Sequence, residues 1–127
     1  MGEIRLVATD KAPKAIGPYS QGVIANGFLY TAGQIALDPA TMIVVEGDVK
    51  AQTERVMANL DAILTAGGSS LRKVVKTTCF LADMGDFAAF NEVYAKWFGD
   101  HKPARSTVAA KTLPRNVLVE IDVVALV

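Results

Sequence analysis

The chain has 127 residues, of which 51% are hydrophobic and 20% charged, and its thirteen basic and thirteen acidic side chains cancel. That length suits one domain spanning residues 1–127. The charge balance leaves no basic block for a nucleic-acid partner, and no apolar run approaches the roughly 18 residues of a membrane helix.

The apolar excess is high for a small protein, whose surface-to-volume ratio calls for polar residues. It predicts a face covered by other copies of the chain, hence a homo-oligomer. IRLVA (4–8) predicts a first short strand, and KAPKAIGP, with its two prolines and a glycine, a loop. YSQGVIA (19–25) and FLYTAGQIA (28–36) are rich in strand-forming residues. The intervening Asn26-Gly27 suits a type I′ hairpin turn, which needs positive φ at both central positions. DPATMIVVEG follows as a loop or irregular hairpin. Asp48 opens a helix in which Val49, Thr53, Val56, Met57, Leu60, Ile63 and Leu64 recur at spacings of three and four, and Gly67-Gly68 closes it with a left-handed cap. VVKTTCFLA (74–82) reads as a strand. Asp83 is placed to cap a second helix whose buried face carries Phe87, Phe90, Tyr94, Trp97 and Phe98, and Gly99 ends it. Strands near 105–111 and 117–126, joined by a turn at Leu-Pro-Arg-Asn, complete the chain.

The order β-β-β-α-β-α-β-β predicts an α+β fold: a mixed or largely antiparallel sheet with both helices on one face. The other face stays apolar, and several such faces can close into a barrel-like interior. The single cysteine, Cys79, excludes an internal disulfide and reads as a small core residue. The N-terminal MGEIRLVATD lacks the apolar core of a signal peptide, so a cytoplasmic location is expected.

Several chemistries find no support. Zinc deaminases pair a His or Cys with Cys-x-x-Cys, whereas this chain has one His101 and one Cys79, far apart. No carboxylate cluster suggests a metal, and no phosphate loop or dinucleotide fingerprint is present. Any enzymatic chemistry is expected to need neither metal nor cofactor. Arg105, at a strand entrance, offers a rigid fork for a substrate carboxylate, or else forms an ordinary salt bridge. Glu120 and Asp122 share one face of an apolar strand, where burial raises a carboxyl pKa and suits it to general acid–base work. The alternation does not choose between them. Tyr19 is either a pocket wall or a half-buried strand tyrosine. Gly33 lies mid-strand, where glycine often marks a bulge or a close ligand approach. Asn91 falls among Phe87, Phe90 and Tyr94 as a buried polar contact, and His101 is expected to be solvated.

Taken together, IGPYSQGV, AGQIALDP, VVKTTCFLADMGDFAAFNEVYAKWF, PARSTV and LPRNVLVEIDVVAL resemble the reactive intermediate/imine deaminase A (RidA) family, in order from about residue 9 to the C-terminus. The resemblance implies a chorismate-mutase-like α+β fold, assembled as a homotrimer with clefts between subunits. It implies cofactor-free hydrolysis of reactive enamines and imines, such as 2-aminoacrylate and 2-aminocrotonate, to 2-keto acids and ammonia: a 2-iminobutanoate/2-iminopropanoate deaminase. The carboxylate-binding arginine of the family falls on Arg105 and its water-positioning glutamate on Glu120, which selects Glu120 over Asp122. Substrate contacts fall on Tyr19, Gly33 and Asn91, with the backbone carbonyl of Thr107 near the substrate nitrogen. Two positions depart from the pattern. Ala32 stands where members often have Ser, and Thr107 where they often have Cys; the first removes a hydroxyl from the pocket wall. The rival reading is a trimeric ligand-sensing or regulatory protein that binds small keto or amino acids in the same clefts without turnover.

Overall fold

The computed structural model describes residues 2–127. Six strands form one sheet in the order β1-β2-β3-β6-β4-β5. They are β1 (Ile4–Val7), β2 (Gly22–Ala25), β3 (Phe28–Thr31), β4 (Val74–Leu81), β5 (Ala104–Ala109) and β6 (Val119–Leu126). Every pairing is antiparallel except β4 with β5. That parallel pair needs a crossover, which α2 (Phe87–Phe98) supplies, while α1 (Val49–Ala66) links β3 to β4. The mixed sheet, its two helices and the element order match the α+β expectation.

Period-two alternation decides what each strand buries. In β6, Val119, Ile121, Val123 and Ala125 are buried against α1 and the core, while Glu120, Asp122 and Val124 point to the opposite face. In β4, Thr77, Cys79 and Leu81 face the helices, and Lys76, Thr78 and Phe80 face away. Among the described residues no helix covers that second face, and it leaves Ile4, Leu6, Tyr30 and Val108 exposed. Met57, Leu60, Ile63, Leu64 and Phe90 have no exposed surface and fill the core beneath the helices. Among the described residues no helix is long and apolar enough to cross a membrane.

Local signals hold at several points. Asp48 caps α1 by accepting from the Ala51 N–H at 3.1 Å. Asn26 and Gly27 both have positive φ, 52° and 82°. Gly67-Gly68 closes α1, Gly68 carrying the left-handed turn with φ 83°. Elsewhere the chain departs from expectation. Asp83 caps a short 3₁₀ turn, Met84–Asp86, by accepting from the Gly85 N–H, and α2 starts only at Phe87. Trp97 is only partly buried, its indole N–H donating to Glu54 at 2.5 Å.

The strands predicted over 19–25 and 28–36 are shorter, for two reasons. Gln21 is buried and turns its side-chain amide to the loop before it. Its Nε2 donates to the carbonyls of Thr9, Ala12 and Pro13, and its Oε1 accepts from the Thr9 N–H. The Gln21 side chain therefore serves that loop, while its carbonyl still accepts from the Ala32 N–H at 2.9 Å. At the other strand, the register of β3 on β6 slips by one residue between Tyr30↔Val124 and Gln34↔Ile121. One extra residue there makes a bulge at Ala32-Gly33. The Thr31 hydroxyl takes up the slack, accepting from the Val123 N–H at 3.0 Å.

Candidate active site

The bulge decides the first half of the site. A regular strand would set a side chain above Glu120. At Gly33 there is none, and a Cβ built there would lie 3.0 Å from the Glu120 Cδ and overlap its carboxylate. The Gly33 N–H meets no backbone carbonyl, since its neighbours Ala32 and Gln34 take those of Gln21 and Ile121. Glu120 and the Gly33 backbone line one cavity with Tyr19, Ile16, Met42 and Arg115. Tyr19 is half-exposed at its wall. Burial pushes the Glu120 carboxyl above the ordinary glutamate range, and the Asp122 charge on the same strand face pushes it further. Asp122 is raised by burial alone and lies outside this cavity.

The second half forms under α2. Strand β5 runs parallel to β4 with Arg105 opposite Thr77 and Thr107 opposite Cys79, which puts both on the helix side. The Arg105 Nη1 donates to the Asn91 Oδ1 at 2.6 Å. Its guanidinium carbon lies over three rings: Tyr94 at 4.7 Å, Phe87 at 5.4 Å and Phe90 at 6.0 Å. Arg105 and Asn91 line a second cavity with Tyr94, Phe98 and Lys102. The Thr107 hydroxyl is buried without a hydrogen-bond partner. Cys79 is fully buried beside it, and burial raises its thiol to about 11, so it remains an unreactive core group.

The predicted residues therefore fall into two groups within one chain. Tyr19, Gly33 and Glu120 gather on the open side; Asn91, Arg105 and Thr107 gather on the helix side. β4 lies between β5 and β6, with Arg105 level with Thr77 and Glu120 level with Phe80, so the two residues are two strand spacings and three residues apart, roughly 14 Å between backbones, with the sheet between them. His101 is not solvated as expected: its Nε2 lies 2.7 Å from the Val74 carbonyl. Sequence reasoning passed over Arg115 and Met42, which line the Glu120 cavity and are joined by a 3.1 Å bond from Arg115 Nη1 to the Met42 carbonyl. Both have positive φ, 56° and 59°, a conformation that non-glycine side chains do not advertise in sequence. Among the described residues no three His, Cys, Asp or Glu side chains form a group able to hold a metal ion.

Comparison with known proteins defines the class to which this fold and these residues belong. The chain belongs to the Endoribonuclease L-PSP family, which includes the Rid proteins and whose model matches residues 9–127. A RutC family protein of Pyrococcus horikoshii is 52% identical over 120 residues, covering 94% of this chain and 95% of that one. A solved structure from Thermotoga maritima superposes with a TM-score of 0.95 at 54% identity, covering 97% of each chain. The chloroplastic Reactive Intermediate Deaminase A of Arabidopsis thaliana is 46% identical over 120 residues, covering 94% of this chain and 64% of its own length.

Proposed function

We propose that the protein is a deaminase that hydrolyses reactive enamines and imines of 2-amino acids, working in clefts between the copies of a homotrimer. One observation carries this reading. Arg105 with Asn91, and Glu120 with Gly33, form two half-sites on opposite faces of one sheet. A substrate of a few heavy atoms cannot touch both within a chain, but a second copy can set its Arg105 edge against the Glu120 cavity of the first. The uncovered apolar sheet face supports the same assembly, because three such faces closing together bury it. The deaminase named among its relatives supports the choice of reaction.

The substrates proposed are 2-aminoacrylate and 2-aminocrotonate, with their imine tautomers 2-iminopropanoate and 2-iminobutanoate. The carboxylate binds the Arg105 fork of one copy and the Gly33 N–H of the other. Tyr19 closes one wall. Water held by Glu120 attacks the imine carbon; Glu120 takes one water proton and delivers it to the nitrogen, to which the C=N electron pair has moved. In the resulting carbinolamine, oriented by the Thr107 carbonyl, Glu120 takes the hydroxyl proton as the oxygen reforms C=O and the C–N bond breaks. That proton passes to the departing nitrogen, so imine and water give keto acid and ammonia with no cofactor. Free imines hydrolyse unaided, and one positioned acid–base group worth roughly 10²–10⁴-fold suffices.

The test is release of 2-keto acid from 2-aminoacrylate and 2-aminocrotonate generated in place by a dehydratase. The wild type should accelerate release and Arg105→Ala should not. Equal rates with and without protein would favour the ligand-sensing reading, and restoring Ser at Ala32 would then be the first change to make. Ribonuclease activity, which the family's description suggests, sits poorly with thirteen basic and thirteen acidic residues. A steep salt dependence of RNA binding would revive it.

A further inference from the structure

Arg105 is half-buried, yet none of the three ion pairs among the described residues includes it. Its one side-chain hydrogen-bond partner among the described residues is a neutral amide. A guanidinium withdrawn from water in this way ordinarily recruits a carboxylate. Here the nearest substitute is the Tyr94 ring, with Phe87 and Phe90 further out. These residues lie three and four apart on α2, which presents them as one stripe above β5. Tyr94 cannot turn away. It is buried between Phe90 at 5.5 Å and Phe98 at 4.7 Å, and its hydroxyl is bonded to the Thr77 Oγ1 at 2.8 Å.

We infer that Tyr94 is a positioning residue for Arg105, its ring serving in place of a counter-ion so that the fork is fixed in direction and open to a ligand carboxylate. The inference rests on the reading of Arg105 as the carboxylate clamp. The physical distinction lies in which part of the cation is used. A carboxylate partner would occupy the in-plane N–H donors and compete with the ligand. A ring attracts the positive charge through its face and leaves those donors free, apart from the one given to Asn91. The buried phenol is held neutral, because burial raises its pKa further above its ordinary value.

The experiment replaces Tyr94 with phenylalanine and with mono-, di- and trifluorinated phenylalanines, which weaken the ring's negative face while changing its volume little. The affinity for 2-oxobutanoate is read by calorimetry, with KM and kcat for the matching imine. Tyr94→Phe should bind within about twofold of the wild type. Affinity should then fall stepwise with fluorine content, to about five- to tenfold weaker, as expected for removal of a partly desolvated cation–π contact. KM should rise in parallel while kcat and the melting temperature hold, a split that loss of packing alone would not give. Affinity independent of fluorine content would overturn the inference while leaving the clamp in place. If Arg105→Ala binds 2-oxobutanoate like the wild type, the clamp itself fails, and the role of Tyr94 with it.

Discussion

Arg105 and Glu120 stand two strands apart on the same sheet, but their surroundings differ in kind. Arg105 lies among three aromatic rings and an amide, all of which accept positive charge. Glu120 lies against a bare backbone at Gly33, with another carboxylate, Asp122, beside it on its own strand. The first setting meets a half-buried guanidinium with ring faces in place of a counter-ion. The second makes a carboxylate hold its proton more readily than it would in water. An anchor must keep its charge through the whole reaction, whereas a proton carrier must take it up and release it, and the two environments suit those different tasks.

If that contrast is correct, substitutions on the two sides should fail differently. Arg105→Ala should abolish turnover and also binding of 2-keto acids, both read on the same folded, assembled protein. Glu120→Gln should lower kcat by about 10²–10⁴-fold yet bind 2-oxobutanoate nearly as the wild type does; an unchanged kcat would remove its catalytic role. Gly33→Ala places a methyl group on the Glu120 carboxylate. The displacement should cost on the order of 10²-fold in kcat, with the melting temperature reporting separately on stability.

The smallest effect concerns pH. If Glu120 works as the proposed base, kcat/KM should fall with falling pH through an apparent pKa above the ordinary glutamate value, as its burial and Asp122 dictate. Asp122→Asn removes the charge that raises Glu120 and should move this limb to lower pH; a shift upward, or none, would contradict the coupling. Stability follows the opposite sign from a salt-bridged acid. A carboxyl raised on folding binds its proton more tightly in the folded state, so its destabilising contribution at neutral pH is relieved as pH falls through the raised value toward the ordinary one.

Much of this architecture was legible in the sequence because it rests on periodicity. The alternation in VLVEIDVVALV places Glu120 and Asp122 on one face, and the spacing from Val49 to Leu64 marks the core side of α1. What could not be read comes from side chains that satisfy backbone across long separations. Gln21, just before β2, bonds a loop up to twelve residues away. Asn59, inside the apolar stripe of α1, donates to the carbonyls of Ile35 and Leu37, tethering the irregular segment after the bulge. Gln52 accepts from the Leu118 N–H at the entrance to β6. In a helical pattern such residues look like interruptions of an apolar face. The site was legible by residue type and by resemblance, but its division between two faces was not. Parity within a strand can be counted, while the relation of β5 to β6 depends on the order in which the strands pair.

That division is the central claim, and mixing subunits tests it most directly. Arg105→Ala and Glu120→Gln chains, each inactive alone, would be co-expressed and the mixed assemblies purified. A site that takes Arg105 from one copy and Glu120 from the next has both groups intact at one of the three sites of every mixed trimer. The account predicts recovery of about a third of the wild-type 2-keto acid release rate. Mixed assemblies as inactive as their parents would contradict it.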